Sequence, residues 1–290
     1  MLLPAALRDP LLTTTFGVGE LVRGALDLGA RHFVIGIGGS ATNDGGAGMV
    51  QALGGKLLDA EGRQIGLGGG ALGALAKIDA SGLDPRLAEC AIEVACDVDS
   101  PLIGPDGASA VFGPQKGATP AMVRLLDHNL RHYAERIQAD LGTTVLDLPG
   151  GGAAGGLGAA FVAFLKARLN SGAEVVINTI GLDAIVRDAD LVVTGEGRID
   201  GQSTRGKTPV GVAAVARRHG KPVIALAGSL GSGAESLHDQ GIHAMLSVVL
   251  GTCTLQEALA AAAQNVRITA RNVAVLLQIG GKLGALPSAS

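Results

Sequence analysis

Aromatic side chains, excess positive charge and long apolar runs are all scarce in this chain of 290 residues. Only 2% of the residues are aromatic and the formal net charge is −3, so the chain has neither the stacking groups nor the basic face that nucleic acids require. The amino terminus MLLPAALRDP lacks a basic segment before an apolar run, and glycine or charge interrupts apolar stretches before membrane length. These absences predict a small-molecule partner, with no nucleic acid and no membrane.

Cysteine is also scarce, and its spacing excludes the usual structural roles. Cys90, Cys96 and Cys253 have no metal-binding spacing and cannot all pair with one another. Unpaired thiols are typical of proteins in a reducing compartment. The sequence therefore predicts core thiols and a cytoplasmic location.

Short apolar runs alternate with helical patterns along most of the chain. Runs rich in β-branched residues predict buried strands at residues 32–37, 92–96, 190–195, 222–228 and 244–249. Apolar residues at three- and four-residue intervals predict helices at residues 17–29, 122–137, 159–169, 210–220 and 255–278. Strands that alternate with helices favour an α/β fold with a mainly parallel sheet.

The regularity of this alternation differs between the two parts of the chain. The last hundred residues alternate most clearly and predict a Rossmann-like, doubly wound sheet in residues 188–290. Residues 1–187 are less regular and contain a candidate hairpin at 56–65 and long glycine-rich loops. They are predicted to form a second α/β domain.

The richest loop, GIGGSATNDGGAG at residues 36–48, follows the first predicted strand. Its glycines permit close approach of the backbone to a ligand, and hydroxyl, amide and carboxylate groups stand beside them. A tight turn with local hydrogen bonds is the alternative. The residues predicted to contact a ligand here are Gly38, Gly39, Ser40, Thr42, Asn43 and Asp44.

Two further loops follow predicted elements in the first domain. Asp97 stands at the end of the strand at 92–96, where ligands of open α/β sheets bind. Gln115 and Lys116 lie in a glycine-bounded turn, where lysine can meet phosphate or carboxylate or be solvated. Gly151 and Gly152 precede a helix whose amino terminus favours anions; tight helix packing is the alternative reason for these glycines.

A fourth loop, TGEGRIDGQSTRGKTPVG, contains the octet GQSTRGKT at residues 201–208, which matches the P-loop pattern GxxxxGK[ST]. The strand predicted to end near Thr194 is separated from the octet by GEGRID, and Pro209 follows it. This spacing favours a different phosphate or anion site. The charged and hydroxyl residues suited to phosphoryl transfer are Glu196, Arg198, Asp200, Ser203 and Lys207, and surface salt bridges are the alternative.

Five long motifs in this order resemble the bacterial class I glycerate kinases: IGIGGSATNDGGAGMVQALGGKLLD, ACDVDSPLIGPDGASAVFGPQKGATP, GGGAAGGLGAA, LVVTGEGRIDGQSTRGKTPVGVA and PVIALAGSLG. The resemblance implies transfer of the γ-phosphoryl group of ATP to D-glycerate with Mg²⁺, forming 2-phosphoglycerate rather than 3-phosphoglycerate. It also implies a two-domain α/β fold unrelated to P-loop kinases, in which the Walker-type match is incidental.

Within that resemblance, Asp44 and Asp200 are expected to act as base or magnesium ligand, and Lys207 with Arg198 to offset charge on the transferred group. Members of the family begin with a strand and DSFKGS-like and ADGGEGT-like loops, which are absent from this sequence. We therefore expect an incomplete Rossmann-like sheet, whose exposed edge favours a homodimer. A truncated chain that only binds a nucleotide or carboxylate is the alternative function, and an NAD-linked oxidoreductase has no glycine fingerprint to support it.

Overall fold

The computed structural model describes residues 3–201 and 207–284 and shows an α/β chain with parallel sheets. The chain divides into two compact units, Met1–Val175 (unit 1) and Val176–Ser290 (unit 2). The domain boundary expected near residue 187 stays a prediction; the helix Leu182–Arg187 lies within unit 2. Within the described residues, no helix combines the length and the apolarity needed to cross a membrane.

Unit 1 contains two sheets and the helices that connect their strands. Its elements are α1 (Phe16–Asp27), β1 (His32–Gly36), α2 (Ala47–Ala52), β2 (Lys56–Leu58), β3 (Lys77–Asp79), β4 (Ala91–Ala95), α3 (Ala108–Phe112), α4 (Pro120–Leu141), α5 (Ala153–Leu165) and β5 (Arg168–Asn170). The order β1-β4-β5 forms a parallel sheet, and β2 pairs with β3 in an antiparallel ribbon.

Alternating burial along the strands of the parallel sheet places one face in the core of unit 1. Phe33 of β1 and Ile92 and Val94 of β4 are buried with Phe161 of α5 in one apolar cluster. Each such side chain contributes roughly 1.5–3 kcal/mol when it is removed from water. Residues of opposite parity are polar or exposed, as His32 is, because successive side chains of a strand point to opposite faces.

One sequence prediction in unit 1 is confirmed in a short form and another differs from the structure. The hairpin expected at residues 56–65 is present: Leu58 forms an antiparallel bridge with Gln64, and the Ile65 amide donates to the Leu57 carbonyl oxygen at 2.8 Å. The strand β2 also pairs along its length with β3. The helix expected at 159–169 ends at Leu165, and Arg168–Asn170 is strand β5. Lys166 takes a left-handed conformation (φ 52°), and backbone pairing with β4 then stabilises the extended segment.

The helix α6 (Gly172–Thr179) carries the chain from unit 1 into unit 2, and neither it nor α7 was predicted. The elements of unit 2 that follow are α7 (Leu182–Arg187), β6 (Val192–Ile199), α8 (Thr208–Arg218), β7 (Val223–Leu230), β8 (Ala244–Ser247), α9 (Leu255–Ala260) and α10 (Ala262–Gly284). The strands β6, β7 and β8 form a parallel sheet in that order. Short 3₁₀ turns occur at Ala5–Leu7, Gly69–Ala74, Pro85–Glu89, Pro114–Lys116 and Ala234–Leu237.

Small residues let the helix α8 pack closely on the sheet of unit 2. Ala213 and Ala216 of α8 and Ala225 and Ala227 of β7 are almost fully buried and belong to one cluster. A capping box begins α9: Thr254 Oγ1 accepts a hydrogen bond from the backbone of Glu257, whose side chain accepts one from the Thr254 amide.

The strand β6 is longer than the sequence suggested, and this corrects the spacing argument made about the octet at 201–208. The residues GEGRI, expected to form a loop, continue β6 to Ile199 in register with β7, and α8 begins at Thr208. The octet therefore begins two residues after the end of β6, and its last residue is the first residue of α8. Residues 202–206, which include the predicted site residue Ser203, lie outside the described residues.

Candidate active site

A cavity of about 390 Å³ in unit 1 lies at the carboxyl ends of two neighbouring strands, β1 and β4. Carboxyl ends of adjacent parallel strands meet at one edge of a sheet, so loops distant in sequence converge there. The structure brings together six of the predicted site residues in the wall of this cavity: Gly38, Gly39, Ser40, Asp97, Gln115 and Lys116.

Lys116 is a charged side chain buried in the wall of the cavity. Only 1% of the residue is exposed, and Nζ donates a hydrogen bond of 2.7 Å to the carbonyl oxygen of Thr42. Burial lowers the pKa of the ammonium from 10.5 to about 8, and the charge of Asp44 partly opposes this shift. The ammonium has three donors, so it can bind an anion in the cavity while it holds Thr42.

Asp44 lies in the interior and its carboxylate accepts five hydrogen bonds. Oδ2 accepts from the Thr15 amide (2.8 Å), the Thr15 and Thr14 hydroxyls (2.9 and 3.2 Å) and the Gly48 amide (3.3 Å), and Oδ1 accepts from the Gly46 amide (3.1 Å). The residue is fully buried. A base or metal ligand needs a lone pair facing its partner, so this placement favours an anchoring role over the predicted catalytic one.

Asn43 and Thr42 of the glycine loop also make hydrogen bonds within the protein. The Asn43 amide donates to the Ser109 hydroxyl at 2.9 Å in the interior, and the Thr42 carbonyl receives the Lys116 ammonium. Of the loop residues predicted to contact a ligand, Gly38, Gly39 and Ser40 line the cavity, whereas Thr42, Asn43 and Asp44 lie behind its wall.

Close packing accounts for the glycines at the start of α5, as the alternative prediction held. A side chain at Gly152 would place its Cβ 2.1 Å from the Pro101 carbonyl oxygen, and one at Gly155 (φ 72°) would meet the Thr42 carbonyl oxygen at 2.1 Å. Gly151 is buried beside Gly152. The next residues, Ala153 and Ala154, line the cavity instead.

Ala154 has a backbone conformation that is unusual for a residue with a side chain. Its φ of 53° lies in the left-handed region, which costs alanine on the order of 1 kcal/mol or more. Strained backbone of this kind is often found at binding sites. The sequence offered no signal for it, because the GGGAAGG stretch does not reveal which of its residues turn.

The end of β4 supplies the acidic part of the cavity. Asp97 is exposed, and its Oδ1 accepts a hydrogen bond of 2.7 Å from the Gly172 amide at the start of α6. Cys96, predicted to be a core thiol, is only half-buried and lines the cavity. Burial raises the pKa of the Cys96 thiol. Cys253 is exposed, so the core prediction was wrong for that residue as well.

The charged residues predicted in the fourth loop belong to unit 2. Arg198 Nε lies 3.0 Å from Asp200 Oδ2, with the arginine side chain 68% exposed and the aspartate side chain 19% exposed. Lys207 occupies the N-cap position of α8, directly before the helix. The predicted surface salt bridge is therefore present, and it coexists with a lysine at the amino terminus of a helix.

Glu196 lines a second, larger cavity, which lies within unit 2. This apolar groove, of about 880 Å³, is bounded by the strands of the sheet and by residues of α9 and α10, including Leu255 and Val266. Glu196 Oε2 is buried and has no hydrogen-bond partner in the part of the chain that the structure describes. Among residues 3–201 and 207–284, no three His, Cys, Asp or Glu side chains cluster as a metal site.

These features define an α/β protein with a small, anion-compatible cavity at the carboxyl ends of parallel strands. The chain belongs to the glycerate kinase family, whose family model matches residues 1–278.

The relatives that this chain matches are longer than the chain itself. It is 57% identical over 279 residues to glycerate 2-kinase of Escherichia coli (strain K12) and 53% identical over 278 residues to glycerate kinase of Bacillus subtilis (strain 168); each alignment covers 96% of this chain and 73% of the relative. A crystal structure from Salmonella typhimurium LT2, described as glycerate kinase 2, is 58% identical, with a TM-score of 0.83 and coverage of 97% of this chain and 73% of that one.

Proposed function

We propose that this chain transfers the γ-phosphoryl group of ATP to D-glycerate and forms 2-phosphoglycerate. One observation carries the proposal: a chain 57% identical to a glycerate 2-kinase has, at the carboxyl ends of its strands, a cavity of the size and polarity that a three-carbon hydroxy acid requires. Its volume of about 390 Å³ is near the lower end of the roughly 300–1,000 Å³ typical of ligand pockets.

The acid binds in unit 1, with its negative charge towards Lys116. A buried ammonium attracts an anion more strongly than an exposed one because little water screens it. Backbone amides of Gly38 and Gly39 and the hydroxyl of Ser40 provide neutral donors in the same wall, and Gln115 adds an amide. The half-buried Phe112 provides an apolar wall beside the carbon chain.

Asp97 accepts the proton of the substrate hydroxyl as that hydroxyl attacks phosphorus. It is the one carboxylate among the described residues that line the cavity. Its Oδ1 is oriented by the Gly172 amide, which fixes the direction of the carboxylate. Asp44, with five donors around it, holds the loop that carries Ser40 rather than moving a proton.

The nucleotide phosphates bind to unit 2, which we propose to be Rossmann-like. Lys207 precedes α8, and the positive end of the dipole of this eleven-residue helix favours phosphate. Arg198 adds a second cation at the end of β6. Glu196, with a buried oxygen that lacks a partner among the described residues, is suited to accept a hydrogen bond from a nucleotide hydroxyl or amine.

The residues at the end of β6 also fit a magnesium ion. Mg²⁺ in phosphoryl-transfer sites keeps several waters and takes one or two carboxylates together with phosphate oxygens, so no all-protein cluster is required. Asp200 is a partly exposed carboxylate beside the phosphate-binding candidates and would be its ligand. When bound, the ion would offset charge on the ATP phosphates. A homodimer and a cytoplasmic location remain predictions.

The proposed function is tested by coupling product formation to enolase, which consumes 2-phosphoglycerate directly. Purified protein with MgATP and D-glycerate should produce ADP and an enolase-dependent signal in equal amounts. Turnover no faster than a blank without glycerate overturns the proposal, and product detected only after phosphoglycerate mutase is added assigns 3-phosphorylation instead. Saturable heat with glycerate and no product indicates the binding-only alternative.

A further inference from the structure

Three consecutive threonines before α1 hold the glycine loop of the cavity by hydrogen bonds from their side chains. The Thr13 hydroxyl donates to the Ala41 carbonyl oxygen at 2.7 Å, and the Thr14 hydroxyl donates to Asp44 Oδ2 at 3.2 Å. Thr15 donates to the same oxygen through both its amide and its hydroxyl. Residues 13–15 are called the threonine clamp below.

Thr15 links Asp44 to the helix that follows the loop. Its hydroxyl, which donates to Asp44, also accepts a hydrogen bond of 3.0 Å from the Met49 amide in α2. Gly48 permits this approach, because a Cβ there would lie 2.1 Å from the Thr14 hydroxyl oxygen. Gly48 therefore has no room for a side chain, because the threonine clamp packs directly against its backbone.

The clamp contacts the loop at residues next to those that line the cavity. Ala41, whose carbonyl oxygen is held by Thr13, directly follows Ser40 in the cavity wall. Thr42, the next residue, is held by Lys116 through its carbonyl oxygen. A rotation of the peptide at Ala41 would therefore move both Ser40 and the acceptor of the buried ammonium.

We propose that Thr13 and Thr15 are positioning residues for phosphorylation of the acid, because the threonine clamp sets the geometry of Ser40 and Lys116 without touching the ligand. The inference rests on the proposed function, in which the cavity of unit 1 receives D-glycerate. Neither threonine is among the described residues that line the cavity. Small displacements of the groups that contact the substrate are sufficient to slow an enzyme, since a misplacement of about 1 Å can lower the rate roughly 100-fold.

The experiment compares Thr13→Val, Thr13→Ser and Thr144→Val in the full chain. Thr13 is half-buried, so valine removes the hydroxyl while nearly preserving shape, and serine restores it. Thr144→Val is the matched control: this exposed threonine donates to the Gln138 side chain elsewhere in unit 1. We expect Thr13→Val to lower kcat/KM for D-glycerate about tenfold, through misalignment of the cavity, with KM for MgATP unchanged. Thr13→Ser should retain at least half of the wild-type value.

Thr15→Val and Thr15→Ser form a second pair, with a larger expected loss because Thr15 makes more hydrogen bonds. Thermal unfolding shows whether the Thr15 variants fold. If they do not, the comparison of Thr13→Val with Thr13→Ser tests the positioning role. An active wild type with Thr13→Val within twofold of it overturns the positioning role alone. Equal losses in Thr13→Val and Thr144→Val, or no rescue by serine, also overturn it. A wild type that does not phosphorylate glycerate overturns the proposed function and, with it, this inference.

Discussion

The two units differ in where they keep their charged groups. Unit 1 holds Asp44 and Lys116 in its interior, each with hydrogen-bonded partners. Unit 2 presents the pair Arg198 and Asp200 near its surface. Burial strengthens a charge interaction and reduces its screening by salt, whereas an exposed pair is screened more strongly. We infer that unit 1 sets the geometry of the acid site and that unit 2 contributes charges able to bind nucleotide phosphates.

Apolar side chains differ between the units in the same direction: they are enclosed in unit 1 and partly exposed in unit 2. The core of unit 1 encloses large side chains such as Met49, Tyr133 and Phe161 almost completely. In unit 2, Leu255, Leu259 and Leu276 of the last two helices are all more than 60% exposed, and the apolar groove lies between these helices and the sheet. Substitutions in unit 1 should therefore affect global stability more than comparable substitutions in unit 2.

The largest expected effect is on stability, from Asp44→Asn. The amide that replaces the carboxylate carries no charge and can accept at only one of the two oxygen positions, so at least the Gly46 amide faces an NH₂ group and the remaining hydrogen bonds lose their charge assistance, at about 1–3 kcal/mol for a buried donor left without an acceptor. We expect the free energy of unfolding, measured with urea, to fall by about 3 kcal/mol or more on this basis. Asp200→Asn is the matched change in unit 2 and should leave stability nearly unchanged. Equal stability of Asp44→Asn and wild type would contradict the anchoring role.

The next largest effect is on catalysis, from Lys116→Met. Methionine nearly preserves the volume of lysine and avoids the cost of burying a charge, which offsets loss of the hydrogen bond to the Thr42 carbonyl oxygen, so the protein should remain folded. Loss of the ammonium should lower kcat/KM for D-glycerate roughly 100-fold or more, the magnitude seen when one preorganised charge-stabilising donor is removed. Lys77→Met, at an exposed lysine in β3, is the control. Wild-type activity of Lys116→Met would remove Lys116 from the site.

A smaller effect follows from the pKa of Lys116, which burial lowers to about 8. Anion binding needs the protonated amine, so KM for D-glycerate should rise as pH increases through about 8. Stability has the opposite trend: between about pH 8 and the usual lysine pKa of 10.5 the unfolded chain binds more protons than the folded one, so the free energy of unfolding rises with pH.

The two pH trends can be measured separately. Kinetics at saturating MgATP from about pH 6.5 to 9.5 report the first, and this range brackets the pKa of about 8. Urea unfolding between about pH 8 and 10 reports the second, in the range between the folded and the usual lysine pKa. Lys116→Met should lack the rise in unfolding free energy that this lysine causes. A KM for D-glycerate that stays constant through pH 9 would show that the charge of Lys116 is not needed for binding.

The smallest effect is expected for Arg198→Gln in unit 2. Exposed ion pairs contribute little to stability, so the unfolding curve should not change measurably. KM for MgATP should rise a few-fold at low salt, and the difference from wild type should shrink as salt increases, because surface charges are screened. Arg187→Gln, an exposed arginine paired with Asp183 in α7, is the control. An unchanged KM for MgATP at low salt would argue against a nucleotide contact by Arg198.

The sequence alone located most of the secondary structure, because local patterns of apolar and polar residues reflect the periodic burial of side chains. The strand expected at 32–37 is β1, and the helix expected at 122–137 lies within α4, which has Thr119 at its N-cap and Pro120 as its first residue. The β5 strand was missed because three residues carry little periodicity and owe their conformation to pairing with β4. The length of β6 was likewise decided by its partner β7.

Local patterns also selected the loops that converge on the cavity, since glycine and polar residues after buried strands indicate binding edges. They could not assign roles within a loop. Ser40 and Asp44 lie in the same glycine-rich loop, yet Ser40 lines the cavity and Asp44 is fully buried. That difference depends on the threonine clamp, whose residues are far from Asp44 along the chain.

From its sequence alone, this protein is an α/β chain with glycine-rich loops at strand ends and motifs of the glycerate kinases, because residue type and spacing carry that information. Only the tertiary structure decided which polar groups face the cavity, which anchor its wall, and how far the pKa of Lys116 falls. Burial and hydrogen bonding join residues distant in sequence, and no local pattern records which partners will meet.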